Sequence, residues 1–382
     1  MLGRGSGSRW WRVAVTATLV FIAGCLAGTP RPECEPASGE EEAIGTICGF
    51  RNPEDLEYVA GRNVILAVAM YFDGLIDDGG FISAVVPGGN RVWTAWPAAD
   101  TAAAAAQPEL GDPECTDAPD VDAFYPHGLT STSAAERTLV YVAAHAGKRG
   151  GREAVEIFEL TGDGEDTRLV WKACIPTPDA VQVNDIAVTA GGTIAASNYQ
   201  PDGSTMHVVT ASLLRRPTGN VMVWTREEGW RVLDGTDSLL ANGVALSPAG
   251  DTVFYTESLT GKLHRRPLVG DGGAIAIDIG GTPDNIMWTP RGTMLVATHL
   301  TGFGLMLCNS GKAPCTTGWE VHEVDPHTLA SRRLIEHDGT IVGAIATAVE
   351  VDGRVYLGSV YDDRIGVVTL DDDTDSPSPG LR

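Results

Sequence analysis

The sequence predicts an all-β protein, and specifically a six-bladed β-propeller. Its 382 residues contain 46 glycines and only 7% aromatic residues, which suits many short strands joined by tight turns better than long helices. A short pattern, in which polar residues precede two apolar strands, recurs six times along the chain. The repeats average roughly fifty residues, which is within the range of propeller blades.

Each repeat opens with one or two polar residues, continues as an apolar strand, turns, often at glycine, and returns as a second apolar strand. The opening and second strand of the six repeats are Glu54–Leu56 with Val64–Ala69, His127–Leu129 with Leu139–Ala144, Asn184–Ile186 with Thr193–Ser197, Asn242–Val244 with Thr252–Tyr255, Asp284–Ile286 with Thr293–Ala297, and Ile345–Thr347 with Arg354–Ser359. Because such a unit cannot bury both faces alone, we expect the units to stack around an axis. A β-sandwich would also contain short alternating strands, but it would not repeat the same polar opening.

The N-terminus is typical of an export signal. Residues 1–24 carry a basic stretch and then the apolar run Val13–Ala23, which is too short to span a bilayer comfortably. The run ends in Ile22–Cys25, which resembles a bacterial lipobox. We therefore expect a signal peptide at 1–24, a lipid on Cys25, a tether at 25–45, the propeller at 46–371 and a disordered tail at 372–382. The expected location is the bacterial cell envelope, on the outer membrane or the periplasmic face. The alternative is a plain signal peptide that is cleaved nearby.

Six cysteines remain if Cys25 is lipidated, and an even number in an exported chain favours disulfides. They are Cys34, Cys48, Cys115, Cys174, Cys308 and Cys315. Fifteen pairings are possible, but Cys308 and Cys315 close a short, turn-rich loop and form the first predicted pair. The spacing fits no zinc pattern.

The charge of the chain argues against nucleic-acid binding. The formal net charge is −23, and removal of residues 1–24, which carry three arginines and no acidic residue, leaves −26. Such a surface repels phosphate backbones, whose binding depends on lysine and arginine. The acidic surplus indicates either cation binding or solubility alone.

The polar openings predict a metal site. The innermost strand of each blade lines the central channel, so residues at one repeat position meet at the same height. The first position holds Glu54, His127, Asn184, Asn242, Asp284 and Ile345, and the second holds Asp55, Gly128, Asp185, Gly243, Asn285 and Ala346. Carboxylate and amide oxygens are the ligands that calcium prefers. A second, deeper calcium would use Asp55, Asp185 and a backbone carbonyl such as that of Leu129. One Asn-Asp pair alone is more often a turn, so the recurrence in one register carries this prediction.

The motifs resemble those of the paraoxonase/arylesterase family, in the same order, over roughly Phe50 to Leu370. The matching segments are Pro53–Glu57, Pro126–Leu129, Ala144–His145 followed by Ala154–Phe158, Asn184–Ile186, Ala241–Pro248 and Asp284–Ile286. Members of that family are calcium-dependent lactonases and aryl esterases. The broader superfamily includes gluconolactonases and strictosidine synthase-like propellers.

The resemblance implies a role for each matching residue. The catalytic calcium would be held by Glu54, Asn184, Asn242, Asp284 and Asn285, and the structural calcium by Asp55, Asp185 and the Leu129 carbonyl. His127 and His145 would form the family's histidine pair, with His127 as the base and His145 as its partner. Calcium would polarise the substrate carbonyl while the imidazole deprotonates water. His299 is a further candidate for a residue that faces the substrate.

The expected function is hydrolysis of a lactone or aryl ester, and other possibilities stay open. A serine mechanism is disfavoured because the sequence contains no Gly-x-Ser-x-Gly motif. One alternative is a non-catalytic envelope propeller whose calcium is structural and whose top face binds a partner. Another is a sugar lactonase of the gluconolactonase type. The expected partner is a small-molecule ester or lactone, without nucleic acid, and with membrane contact only through the lipid on Cys25.

The chain also departs from the family pattern. It has no cysteine near the C-terminus, so a terminal disulfide that closes the ring is not expected. The stretches Val85–Thr116 and Cys308–Cys315 are unfamiliar, and such loops would shape the substrate pocket.

Overall fold

Six four-stranded antiparallel sheets account for nearly all the regular structure in the described part of the chain, which confirms the six-bladed propeller. The computed structural model describes residues 34, 44–70, 80–98, 106–134, 137–145, 151–179, 181–199, 205–270, 272–301, 308 and 315–370. The predicted signal peptide at 1–24, the lipidated Cys25, almost all of the tether and the tail at 372–382 lie outside these residues.

Each of the first five blades is a meander of four consecutive strands, numbered from the channel outward. Blade 1 contains β2 (Pro53–Val59), β3 (Val64–Ala69), β4 (Ile82–Val85) and β5 (Val92–Trp96); blade 2 contains β6 (Tyr125–Ala134), β7 (Arg137–His145), β8 (Ala154–Thr161) and β9 (Arg168–Pro176); blade 3 contains β10 (Val183–Val188), β11 (Ile194–Asn198), β12 (Asn220–Thr225) and β13 (Gly229–Val232). Blade 4 contains β14 (Ala241–Leu246), β15 (Thr252–Glu257), β16 (Lys262–Pro267) and β17 (Ile275–Asp278); blade 5 contains β18 (Thr282–Trp288), β19 (Met294–His299), β20 (Trp319–Val324) and β21 (Ser331–His337).

The sixth blade joins the two ends of the described chain. It contains β22 (Ile345–Val351), β23 (Arg354–Ser359), β24 (Arg364–Thr369) and, as its outer strand, β1 (Gly45–Cys48). Gly45 pairs with Val367 and Cys48 with Arg364. The ring is therefore closed by a strand ladder, without a terminal disulfide, and the predicted domain boundary at residue 46 falls inside β1.

The inner strands form a closed ring around the channel. Strand β2 contacts β6, β6 contacts β10, and the series continues through β14, β18 and β22 back to β2. The six repeat openings of the sequence, five of which are polar, all lie on these strands. This arrangement brings residues that are distant in sequence into one channel.

The hydrophobic core lies between neighbouring blades. Val64 and Ile82 of blade 1 share one cluster with Val142 and Phe158 of blade 2. Comparable buried clusters lie between the other blades, because each sheet buries one apolar face against each neighbour. Blade 2 is fixed to blade 1 by such apolar contacts, and this orients the inner strand that carries His127.

Short helical elements and three disulfides complete the described structure. The helix α1 (Thr205–Leu214) lies between β11 and β12, and 3₁₀ turns span Ala60–Arg62, Val121–Ala123, Gly164–Asp166 and Ser258–Thr260. The disulfides join Cys34 to Cys48, Cys115 to Cys174, and Cys308 to Cys315, which confirms the pair predicted from the sequence. Within the described ranges, no helix has the length and apolar character needed to cross a bilayer.

Candidate active site

A β-bulge on each of the first five inner strands positions the site. In β2 the strand pairing shifts between Pro53 and Leu56, so that Glu54 and Asp55 lie inside the bulge. The same shift occurs in β6, β10, β14 and β18, around residues 127–128, 184–185, 242–243 and 284–285. Bulges interrupt the alternation of a strand and re-aim its side chains. In β22 the shift lies between Ile345 and Thr347 and leaves only Ala346, so the sixth bulge contributes no polar side chain.

Two glycines let neighbouring bulges approach closely. A Cβ on Gly128 would lie 2.6 Å from the Asp185 Cα, and a Cβ on Gly243 would lie 2.4 Å from the Asp284 carbonyl oxygen. Only glycine fits at such distances. These glycines occupy the second repeat position in blades 2 and 4, where blades 1 and 3 carry aspartates, and they bring the backbone of the next blade into the channel.

Buried oxygen atoms without a hydrogen-bond partner mark the first predicted metal site. Among the described residues, each of the five predicted ligands contributes one such atom: Glu54 Oε2, Asn184 Oδ1, Asn242 Oδ1, Asp284 Oδ1 and Asn285 Oδ1. Buried polar groups almost always have partners, and leaving one unsatisfied costs about 1–3 kcal/mol. The predicted residues therefore supply five buried oxygens that lack a hydrogen-bond partner among the described residues, and we call these five atoms the oxygen cluster. They are hard donors of the kind that calcium binds.

The amide nitrogens of this set make the complementary contacts. Asn285 Nδ2 donates a 3.1 Å hydrogen bond to Glu54 Oε1. Asn184 Nδ2 lies 3.1 Å from His127 Nε2. Each of these two amides therefore contacts a neighbouring side chain through its Nδ2 and leaves its Oδ1 without a hydrogen-bond partner. The Oδ1 atoms are thus available as acceptors at the predicted metal site.

The electrostatics of the channel favour a cation. Burial raises the pKa of Glu54 well above its usual value, and the charges of Asp284, Asp55 and Asp185 add to this effect. Burial and then the charge of Asp55 likewise raise the pKa of Asp185. Neighbouring carboxylates thus destabilise the charged forms of Glu54 and Asp185, and a divalent cation among them would offset this repulsion.

The second predicted metal set has a different hydrogen-bond pattern. Asp55 accepts backbone N–H groups from Leu56 at 2.9 Å and from Leu129 at 2.8 Å. Asp185 accepts them from Ile186 and Val244, both at 2.7 Å. These carboxylates therefore connect blade 1 to blade 2 and blade 3 to blade 4. Leu129 contacts Asp55 through its backbone amide, whereas the sequence predicted its carbonyl as a ligand.

The predicted metal site is not built from acidic, histidine and cysteine side chains alone. Within the described residues, no set of three or more His, Cys, Asp and Glu side chains is arranged as a metal site. The five oxygens that lack partners include three from asparagine, a residue type outside that set. Amide oxygens are nevertheless ordinary ligands of calcium.

The two predicted histidines are in contact. His127 Nδ1 lies 3.2 Å from His145 Nε2, and His127 Nε2 lies 3.9 Å from Glu54 Oε1. Burial, and secondarily the charge of His145, lower the pKa of His127 to about 3. His127 is therefore neutral at pH 7, and one of its ring nitrogens is directed at the oxygen cluster.

Three further residues surround the cluster. His299 is fully buried, with Nε2 2.8 Å from Asp284 Oδ2, so it supports a predicted ligand from behind. Burial raises the pKa of Tyr199, and so do the charges of Asp284, Tyr361 and Glu54. Burial and Asp284 have the same effect on Tyr361. The tyrosines were not found from the sequence, because each follows the second strand of its blade, outside the repeated opening.

Comparison with known proteins identifies the family. Residues 101–365, which are more than half of the chain, match the family model described as Arylesterase. The chain belongs to the arylesterase family. It is accordingly a hydrolase, and the matched region includes every predicted site residue except Glu54 and Asp55, which the ring brings to the others.

Individual relatives of this arylesterase family member are distant in sequence. Serum paraoxonase/arylesterase 1 of Homo sapiens is 22% identical over 252 residues, covering 63% of this chain and 68% of that protein. A structure described as a putative gluconolactonase aligns with a TM-score of 0.50 and 12% identity, covering 89% of this chain and 98% of that one. Regucalcin from Agrobacterium tumefaciens, described as a calcium-binding protein, aligns with a TM-score of 0.47 and 12% identity, covering 85% and 93%.

Proposed function

We propose that this protein is a calcium-dependent hydrolase of lactones or aryl esters, in which a histidine-activated water attacks the substrate carbonyl. The observation that carries the proposal is the coincidence of five buried oxygens that lack partners with a neutral histidine beside them. Membership of the arylesterase family supports the reaction class. The choice between an ester and a lactone as substrate belongs to the proposal alone.

The residues present fit a calcium ion. Glu54, Asn184, Asn242, Asp284 and Asn285 would hold it through the five oxygens that make no other bond. When bound, calcium would polarise the substrate carbonyl and stabilise negative charge on its oxygen. In the same proposal, Asp55, Asp185 and the Leu129 carbonyl would hold a second, structural calcium. Calorimetric titration with calcium should therefore give two bound ions for each protein chain.

The histidine pair would provide the proton transfer. His127 Nε2 is directed at the oxygen cluster, where it would accept a proton from the attacking water. Because burial keeps His127 neutral, its Nε2 is an acceptor at pH 7; it accepts from Asn184 Nδ2 in the structure and would accept from the water in the reaction. The proton on His127 Nδ1 would pass to His145 Nε2, 3.2 Å away, and His145 is about one quarter exposed, so the proton could leave to solvent.

We also propose that the protein acts at the bacterial cell envelope, held by a lipid on Cys25. This rests on the sequence of residues 1–25 alone. Metabolic labelling of the expressed protein with a fatty acid, compared with the Cys25→Ser variant, tests it. Labelling of both proteins, or of neither, contradicts the anchor.

The activity test uses purified protein with phenyl acetate, a panel of aliphatic lactones and a sugar lactone. Each substrate is assayed with calcium, with a chelator, and after calcium is restored. The proposal predicts turnover that is lost in the chelator and returns with calcium. The variant His127→Gln should lower kcat by about 10²–10⁴-fold, the usual contribution of general base catalysis. Glu159→Gln is a matched control, because Glu159 pairs with Arg137 and Lys172 on blade 2, away from the oxygen cluster.

The outcomes distinguish the open alternatives. Turnover of the sugar lactone alone favours a gluconolactonase-type enzyme. Calcium binding measured by calorimetry, without turnover of any substrate, favours a binding propeller whose calcium is structural. Turnover that persists in the chelator contradicts the calcium-dependent mechanism.

A further inference from the structure

A carboxylate outside every sequence motif contacts His145 of the histidine pair. Glu153 Oε2 lies 2.7 Å from His145 Nδ1, on the ring edge opposite the nitrogen that contacts His127. Glu153 precedes β8 and is about 30% exposed. It therefore extends the row of contacts that runs from the oxygen cluster through the two histidines.

The Asn184 amide and the Glu153 carboxylate, which flank the two histidines, determine which ring nitrogens carry hydrogen. Asn184 Nδ2 can only donate, so His127 Nε2 must accept, and the ring hydrogen of His127 is then on Nδ1. His145 Nε2 can accept that hydrogen only while the hydrogen of His145 is on Nδ1. An ionised Glu153 can only accept. The amide at one end and the carboxylate at the other thus favour the same direction of hydrogen bonding.

The backbone around Glu153 is fixed on both sides. Its carbonyl accepts a 3.0 Å hydrogen bond from the Thr177 amide. The preceding residue, Arg152, donates to both carboxylate oxygens of Glu156, at 2.7 and 2.8 Å, and to the Asp117 carbonyl at 2.9 Å. Glu153 therefore extends its carboxylate to His145 from a backbone that is held in place, so it can orient the imidazole.

We propose that Glu153 is the positioning residue of the histidine pair: it selects the Nδ1–H tautomer of His145 and so leaves His145 Nε2 free to receive the proton of His127. The effect on turnover rests on the proposed function. The tautomer itself is a property of the folded chain and is measured independently of any substrate.

The test compares Glu153→Leu, which removes the acceptor, with Glu153→Gln, whose amide oxygen can still accept from Nδ1–H without a charge. Proton-coupled ¹⁵N spectra of histidine-labelled protein report which ring nitrogen carries hydrogen, and the variant His145→Gln identifies the His145 signals by their loss. Kinetics are measured on the same samples, with Glu159→Gln as the matched control on blade 2.

In the leucine variant we expect the His145 Nδ1–H signal to lose intensity as the Nε2–H tautomer becomes populated, and kcat to fall on the order of 10- to 100-fold, with KM and the melting temperature unchanged. The glutamine variant should retain the tautomer and part of the rate. Retention of the full Nδ1–H signal in Glu153→Leu overturns the proposal, and so does an equal loss of rate in both variants. If the wild-type protein turns over no ester or lactone, the proposed function fails, whereas the spectra still test the role of Glu153.

Discussion

Replacement of Gly243 by alanine tests whether the spacing of the bulges determines the metal site. The new Cβ would lie 2.4 Å from the Asp284 carbonyl oxygen and 2.6 Å from the Asn285 Cα, whereas real Cβ contacts essentially never fall below 3.0 Å. The backbone of Asp284 must therefore retreat by roughly 0.6 Å, although Thr256 Oγ1 holds its carbonyl by a 2.8 Å hydrogen bond. Asp284 and Asn285 carry two of the five oxygens that lack partners.

The expected magnitudes follow from that displacement. Overpacking of this kind costs about 1–3 kcal/mol of stability. A binding site tolerates displacements of only about 0.5 Å, so the calcium dissociation constant should rise at least about tenfold, which corresponds to about 1.4 kcal/mol. Calorimetric titration with calcium measures the second effect, and thermal unfolding in a chelator measures the first.

A matched control separates the steric effect from the general effect of replacing glycine. Gly61 lies in the 3₁₀ turn Ala60–Arg62, and a Cβ there would meet no atom within 4 Å. Gly61→Ala should leave both the unfolding temperature and the calcium affinity unchanged. The reasoning is refuted if Gly243→Ala unfolds in the chelator at the same temperature as the wild type, because that measurement does not depend on metal binding.

Three further predictions concern the channel and blade 2. Glu54→Gln should be at least as stable as the wild type in a chelator, because it removes a buried charge. Its melting temperature should no longer rise when calcium is added. An unchanged calcium response in scanning calorimetry contradicts the ligand assignment. Asp185→Asn should lower the free energy of unfolding in urea by about 1–3 kcal/mol, because its NH₂ group would face a backbone N–H such as that of Val244. A stability equal to that of the wild type argues against the role of Asp185 in connecting blades 3 and 4. Joint replacement of Cys115 and Cys174 by serine opens a loop with a sequence separation of 59, which should cost about 4 kcal/mol; an unaltered midpoint in guanidinium chloride would show that this crosslink is dispensable.

The sequence predicted the features that repeat. The polar residues opening each repeat share one register, and the bulges at residues 54–55 and 284–285 place them on the inner strands as expected. The sequence also shows Gly128 and Gly243 at one repeat position. The reason that glycine is required there is contact with the backbone of the next blade, which only the folded ring shows. Periodicity therefore predicts the fold and which polar residues lie on the inner strands.

Features that occur once could not be predicted in this way. Six cysteines allow fifteen pairings, and the pair Cys115–Cys174 joins the segment between β5 and β6 to the outer strand β9. Glu153 reaches His145 from outside the repeated opening. Strand β1 is too short for its partner to be read from an apolar pattern. Each of these contacts is decided by tertiary geometry, which local sequence does not encode.

The ladder between β1 and β24 has a consequence for biosynthesis. Of the described strands, β1 leaves the ribosome first and β24 last, yet each needs the other as its edge partner. The sixth blade therefore stays incomplete until the whole ring has been translated, and the nascent chain must keep an unpaired edge from aggregating for that time. A circular permutant that moves Gly45–Cys48 behind β24 would make this pairing local and should refold faster, because less of the chain has to be closed into a loop before the ring is sealed.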